Sequence, residues 1–203
     1  MVAIAAGDLH AMALRADGGV WAWGSNSYGR LGDGTTTQRR SPVHVTALSN
    51  IVAVAAGRDH SAALSEEGQA WTWGRNNSGQ LGDGTTTNSS TPVVVDGLVN
   101  VTGISAGSAH TLARTFDGFV YAWGHNNNGQ LGDDSTTNRP TPTLVAGLAE
   151  VVFIEAGRDH SAAVTESGEV WLWGANGSGQ LGDGTWTNRR TPIRNSVVEV
   201  FVQ

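Results

Sequence analysis

The chain has no cysteine, and all 12 of its basic residues are arginines. Without cysteine, disulfide frameworks and thiolate chemistry are excluded, and the redox compartment is left open. A net charge of -6 makes a general binder of phosphate backbones a poor reading, so no nucleic-acid partner is expected. No apolar run approaches the length of a membrane span, and no membrane partner is expected. Met1 to Asp8 carries no basic head of the kind that opens a signal peptide. No compartment follows from these features. Helical periodicity is absent from every window.

What is present is repetition. Gly7-Asp8-Leu9-His10, Gly57-Arg58-Asp59-His60, Gly107-Ser108-Ala109-His110 and Gly157-Arg158-Asp159-His160 stand fifty residues apart. The aromatic run Trp21-Ala22-Trp23-Gly24 keeps the same step at 71–74, 121–124 and 171–174, as does Gly29-Arg30-Leu31-Gly32 at 79–82, 129–132 and 179–182. A unit of this size cannot bury its apolar side chains alone, so neighbours must stack. The units divide as residues 1–50, 51–100, 101–150 and 151–196 of a single array covering 1–203. Residues 197–203 are an additional strand, read either as closing a ring or as left over.

Each unit reads as four short strands. The first (Val2–Ala6, Ile51–Ala56, Val101–Ala106, Val151–Ala156) is β-branched at its start and small at its end, which suits a crowded place where sheets converge. A second strand follows the glycine turn. Asp17-Gly18 and its equivalents then form a hairpin into a third strand, whose aromatics alternate and share one face. Those aromatics are expected to pack one sheet on the next. A long polar loop comes next, pinned by Leu31, Leu81, Leu131 and Leu181. A fourth strand is expected after Pro42, Pro92, Pro142 and Pro192, and a proline at its start marks it as the outer edge. Four-stranded units in radial series give an all-β propeller with four blades per chain.

These motifs resemble the RCC1 (regulator of chromosome condensation) repeat family. The carriers are Gly57, His60, Glu67-Gly68, Trp73-Gly74, Asn76, Gly79 to Gly82 and Pro92, with equivalents in every copy. The resemblance implies a bacterial-type RCC1-like propeller in which Gly7, His10, Gly57, His60, Gly107, His110, Gly157, His160, Trp23, Trp73, Trp123 and Trp173 form the structural signature. Family propellers usually have seven blades, whereas four are present here. Members that exchange nucleotide on a small GTPase carry an inserted wedge, and the fifty-residue step never breaks to admit one. Members that bind nucleosomes add basic tails, which are absent here. The plant ultraviolet receptor places tryptophans where this chain has Asp8, Arg58, Ser108 and Arg158.

Four histidines in register suggest a metal ring, but a group repeated in every unit belongs to the unit. Each is expected to hydrogen-bond backbone at its own glycine turn, and neither metal nor cofactor is assigned. Asp59-His60-Ser61 has hydrolase residue types, yet adjacent residues on a strand point to opposite faces. Asp33, Asp83, Asp133 and Asp183 head Thr/Asn-rich loops that offer oxygens to a hard cation, and side chains capping their own backbone explain them more simply.

The first turn and the long loop leave the blade at one end, so one face collects the residues that differ most between units. Arg58, Arg75, His125, Arg158 and Trp186 are the expected contacts to a protein partner. The sequence therefore reads as a non-catalytic scaffold for protein–protein interaction, with self-association through exposed blade flanks as a homodimer. Two rival readings use the same residues. One is a structural or engineered fragment that self-assembles without a dedicated ligand, and the other is a hydrolase built on an Asp/His loop cluster.

Overall fold

The computed structural model describes residues 2–199. Four antiparallel four-stranded sheets follow one another along the chain. Blade one holds β1 (Ala3–Ala6), β2 (His10–Leu14), β3 (Val20–Gly24) and β4 (Arg39–His44). Blade two holds β5 (Ile51–Ala56), β6 (His60–Ser65), β7 (Ala70–Gly74) and β8 (Ser89–Val94). Blade three holds β9 (Val101–Ala106), β10 (His110–Thr115), β11 (Val120–Gly124) and β12 (Arg139–Leu144). Blade four holds β13 (Val151–Ala156), β14 (His160–Thr165), β15 (Glu169–Gly174) and β16 (Arg189–Glu199). Every sheet pairs its strands in chain order, as the turn spacing predicts.

The first strands, β1, β5, β9 and β13, pack side by side around a common axis. Their alanine-rich ends permit that approach. Two details depart from the sequence reading. The fourth strand begins three residues before its proline, so Pro92 lies inside β8 rather than at its start. The edge position accommodates it, since the proline ring's missing N–H is not needed by a further strand. The segment 197–203 is described only to Glu199. That part continues β16, with Glu199 opposite Glu169 of its own blade, and residues 200–203 lie outside the described residues.

The core lies between blades, not within them. Met12, Leu14, Val20, Ala22 and Leu31 of blade one pack against Ala63, Trp71 and Trp73 of blade two, with Val54 beside them. The same layer recurs between blades two and three around Trp123, and between blades three and four around Trp173. The alternating aromatics thus project toward the preceding blade, as their period of two requires.

Candidate interaction face and blade joints

Each joint is closed by a hydrogen-bonded circuit at its centre. His10 Nε2 lies 2.8 Å from Ser61 Oγ of the next blade, and Ser61 Oγ donates to the Arg30 carbonyl at 2.8 Å. Trp73 Nε1 donates to the same carbonyl at 2.9 Å. His60, Thr111, Trp123 and the Gln80 carbonyl repeat the circuit, as do His110, Ser161, Trp173 and the Gln130 carbonyl. The single hydroxyl proton of Ser61 is committed to the Arg30 carbonyl, so His10 must donate through Nε2–H. Its Nδ1 is then bare, and it is buried without a partner, as in His60 and His110. The ring partner is therefore a hydroxyl on the next blade, which corrects the backbone contact expected at the glycine turn. Backbone at that turn is served by the histidine's main chain, with Gly7 N bonding His10 O at 2.9 Å. Glycine is needed there: a β-carbon on Gly57 would strike the Gly107 carbonyl and its own His60 ring.

Burial sets the protonation of these rings. Desolvation pushes His10 down to about 4 and His60 and His110 down to about 3. All three are neutral at ordinary pH. Among the described residues, no group of three His, Asp or Glu side chains is placed to share a metal ion. The His–Ser pairs have the residue types of a hydrolase, but both partners are buried, and the serine proton is already held by a carbonyl. Asp59 faces Arg30 at 2.8 Å and Arg75 at 3.2 Å instead of a histidine.

Toward the loop end, the first turns and long loops are tied together, with Arg75 N donating to Asp59 O at 2.9 Å and His125 N to Ala109 O at 2.8 Å. Arg58, Arg75, His125 and Arg158 line one cleft of about 250 Å³, together with Asp59 and Asp159. Small residues at Ser108 and Ala109 leave the gap open between blades two and four. Arg58 and Arg158 also border a larger axial cavity of about 600 Å³. Arg75 is partly committed, since its guanidinium lies 5.2 Å from the Tyr28 ring. Trp186 is not in this cleft. It lies on the loop of blade four beside Gly179, 72% exposed. The sequence reading missed Arg30, which is 2% exposed and spans the joint to Asp59 and the Arg58 carbonyl. Its signal was Arg30 standing where the other copies have Gln80, Gln130 and Gln180.

A family model for the RCC1-like domain matches residues 1–202. The chain belongs to the RCC1-like domain family. Among solved RCC1-like structures, human WBSCR16 superposes with a TM-score of 0.85 at 27% identity, covering 95% of this chain and 52% of that one. Yeast RCC1 (Prp20) bound to Kap60 gives 0.83 at 25% identity, covering 95% and 48%. Prp20p of Saccharomyces cerevisiae, described with its binding to Gsp1p and histones, gives 0.81 at 26%, covering 95% and 50%. This chain therefore spans about half the length of those structures. The E3 ubiquitin-protein ligase HERC2 of Homo sapiens is 48% identical over 48 residues, which are 24% of this chain and 1% of HERC2.

The long loops of this RCC1-like array are organised from within. Asn76, fully buried, receives Leu81 N on Oδ1 at 2.9 Å and donates through Nδ2 to Asp83 and Thr85. Asn26, Asn126 and Asn176 do the same. Asp33, Asp133 and Asp183 are further held by Arg39, Arg139 and Arg189 at 2.7, 2.8 and 2.6 Å. Burial raises the Asp33 and Asp133 carboxyls, but bonds from Thr35, Ser135 and the arginines outweigh it and leave both below the usual carboxylate range. Both carboxylate oxygens of Asp33, Asp133 and Asp183, which the sequence offers to a cation, thus take part in internal bonds, whereas the bonds described at Asp83 fall on one oxygen. No helix among the described residues is long and apolar enough to cross a membrane.

Proposed function

We propose that this RCC1-like array is a non-catalytic scaffold that recognises an acidic segment of a protein partner through the loops of one face. The carrying observation is the convergence of Arg58, Arg75, His125 and Arg158 on one cleft across three blades. Arg58 and Arg158 have side chains 54% and 82% exposed, and their carboxylate neighbours sit at 3.3 to 3.8 Å. Such loose, solvated pairs exchange readily for an incoming carboxylate, because each contributes little. Arginine is also the residue best shaped to grip a carboxylate at two points. Asp59 is already balanced by buried Arg30 and by Arg75, so it repels an acidic ligand less than a free carboxylate would. The propellers that resemble this one support a binding role, since yeast Prp20 is described in complex with Kap60 and as binding Gsp1p and histones. The absence of a catalytic role is part of the same reading, supported by the burial of every His–hydroxyl pair at the joints. Self-association through the blade flanks completes the scaffold.

The test is fluorescence anisotropy with a glutamate-rich peptide and a lysine-rich control. The acidic peptide is expected to bind with an affinity that falls as salt rises, and Arg58→Ala with Arg158→Ala should weaken it at least tenfold. Equal binding of both peptides, no binding at low salt, or binding untouched by the double substitution would refute the reading.

A further inference from the structure

The three joints inside the chain share one plan, and the chain carries one further half of that plan at each end of the array. The half that faces a preceding blade is Val54, Ala63, Trp71 and Trp73 in blade two, and Ile104, Ala113, Tyr121 and Trp123 in blade three. Blade one presents Ile4, Ala13, Trp21 and Trp23 in the same positions. The half that faces a following blade is Met12, Leu14, Val20 and Ala22 in blade one, all fully buried. Blade four presents Ala162, Val164, Val170 and Leu172 there, and all four are partly exposed.

Burial tracks this position closely. Trp73, Trp123 and Trp173 are fully buried, whereas Trp23 is only partly covered and its indole N–H has no hydrogen bond among the described residues. The Gln80 and Gln130 side chains are buried, whereas Gln180 is exposed. Ile4 is 72% exposed and Phe153 62% exposed. These two occupy equivalent positions to Ile154 and Gly103, which face each other across the joint between blades three and four, where a β-carbon on Gly103 would come within 4.0 Å of the Ile154 side chain. The notch at Gly29, Gly79 and Gly129 receives Ser90, Pro140 and Arg190 of the next blade, but at Gly179 it receives Trp186 of its own loop.

We infer that a second copy of this chain fills both flanks head to tail, deepening the self-association named above and resting on the scaffold reading. Blade one of each copy seats on blade four of the other. Ile4 lands on Phe153, and Trp23 Nε1 reaches the Gln180 carbonyl. The occupant is argued from continuity: each half fits a partner surface already built three times within the chain. A heterologous contact of this kind closes when two four-bladed arcs meet at both ends.

The joint between copies differs from the internal ones at two places. Ala11 stands where Ser61, Thr111 and Ser161 accept the histidine, so His160 gains no hydroxyl there. The Asn195 amide lies at Gly182, the place that receives the following indole at Gly32, Gly82 and Gly132, so Trp23 must displace it. Association is therefore weaker than an internal joint and depends on concentration.

Light scattering at increasing concentration tests this. The mass should rise from 21.1 kDa to about twice that and stop. Phe153→Asp and Ile4→Asp, both on exposed side chains, should each hold the chain at the lower mass with an unchanged melting temperature at low concentration. Mixing the two variants should partly restore the larger mass, because one joint of the pair is then intact. Ala11→Ser should tighten association about fivefold or more by restoring the hydroxyl. A single mass of 21.1 kDa at every concentration, growth without limit, or a larger mass insensitive to these flank substitutions would overturn the inference. Acidic-peptide binding measured on the same samples reports the loop face separately, so either reading can fail alone.

Discussion

Blades one and two are built on the same repeat and live in different surroundings. Trp73 is sealed between two sheets and donates to the Arg30 carbonyl, whereas Trp23, at the same point of the unit, is partly exposed and has no such acceptor among the described residues. Val54 packs into the first joint, whereas Ile4, its counterpart, is mostly exposed. The pair shows that the unit of stability here is the joint and not the blade. A side chain's contribution is set by whether a neighbouring sheet covers it, as in other stacked repeat arrays.

The largest expected effect tests that contrast directly. Trp73→Ala should cost about 3–5 kcal/mol, the usual range for emptying an aromatic site in a packed core. Trp23→Ala, compared in the Phe153→Asp background so that copies stay apart, should cost only about 1 kcal/mol or less. Urea denaturation of the two variants measures the difference, and equal losses would abolish the distinction between joint and flank.

The histidines extend the comparison to pH. His60 and His110 are held neutral by complete burial, with folded values of about 3, while the unfolded chain titrates near 6.5. Across that window the unfolded state binds more protons. Stability is therefore full above about pH 6.5 and falls as pH drops toward the folded values, by up to roughly 1.4 kcal/mol per pH unit for each ring. His160, half-buried on the flank of blade four, is lowered less by the same desolvation and should contribute less. Urea midpoints measured from neutral pH to about pH 4.5 should show the decline, reduced in His60→Gln and little changed in His160→Gln.

The smallest effect concerns the long loops. Arg139 holds Asp133 at 2.8 Å, but blade two has Ser89 at the equivalent position and forms the same loop. Arg139→Ala should therefore cost less than about 1 kcal/mol, as expected for a partly exposed pair, and thermal melting should barely resolve it.

Much of this architecture was legible because it is local and repeated. Strand order follows from turn spacing, and the aromatic face follows from the period of two. The loop face was legible too, since chain direction alone sends the turn at Arg58 and the loop at Arg75 to the same end. What was hidden lies between blades. The hydroxyl that receives His10 is 51 residues away, and nothing in the sequence near either residue declares the pair. The clue is positional: a hydroxyl residue follows His60, His110 and His160 at Ser61, Thr111 and Ser161, whereas Ala11 follows His10. Arg30 stands out in the sequence only as a departure from glutamine in the other copies, and its role depends on the Asp59 carboxylate 2.8 Å away in the next blade. The segment that holds Trp186 points to the loop face, but its ring lies at Gly179, where the other blades meet a successor.

The interchangeable joints have a consequence for how such a chain changes length. Since each blade offers its successor the same receiving surface, an in-frame crossover between equivalent points of two units removes or adds a whole blade without creating a novel contact. Coding sequence can thus be gained or lost in steps of fifty residues while every remaining sheet meets a surface it already fits, and curvature, not chemistry, then decides how many blades close the circle.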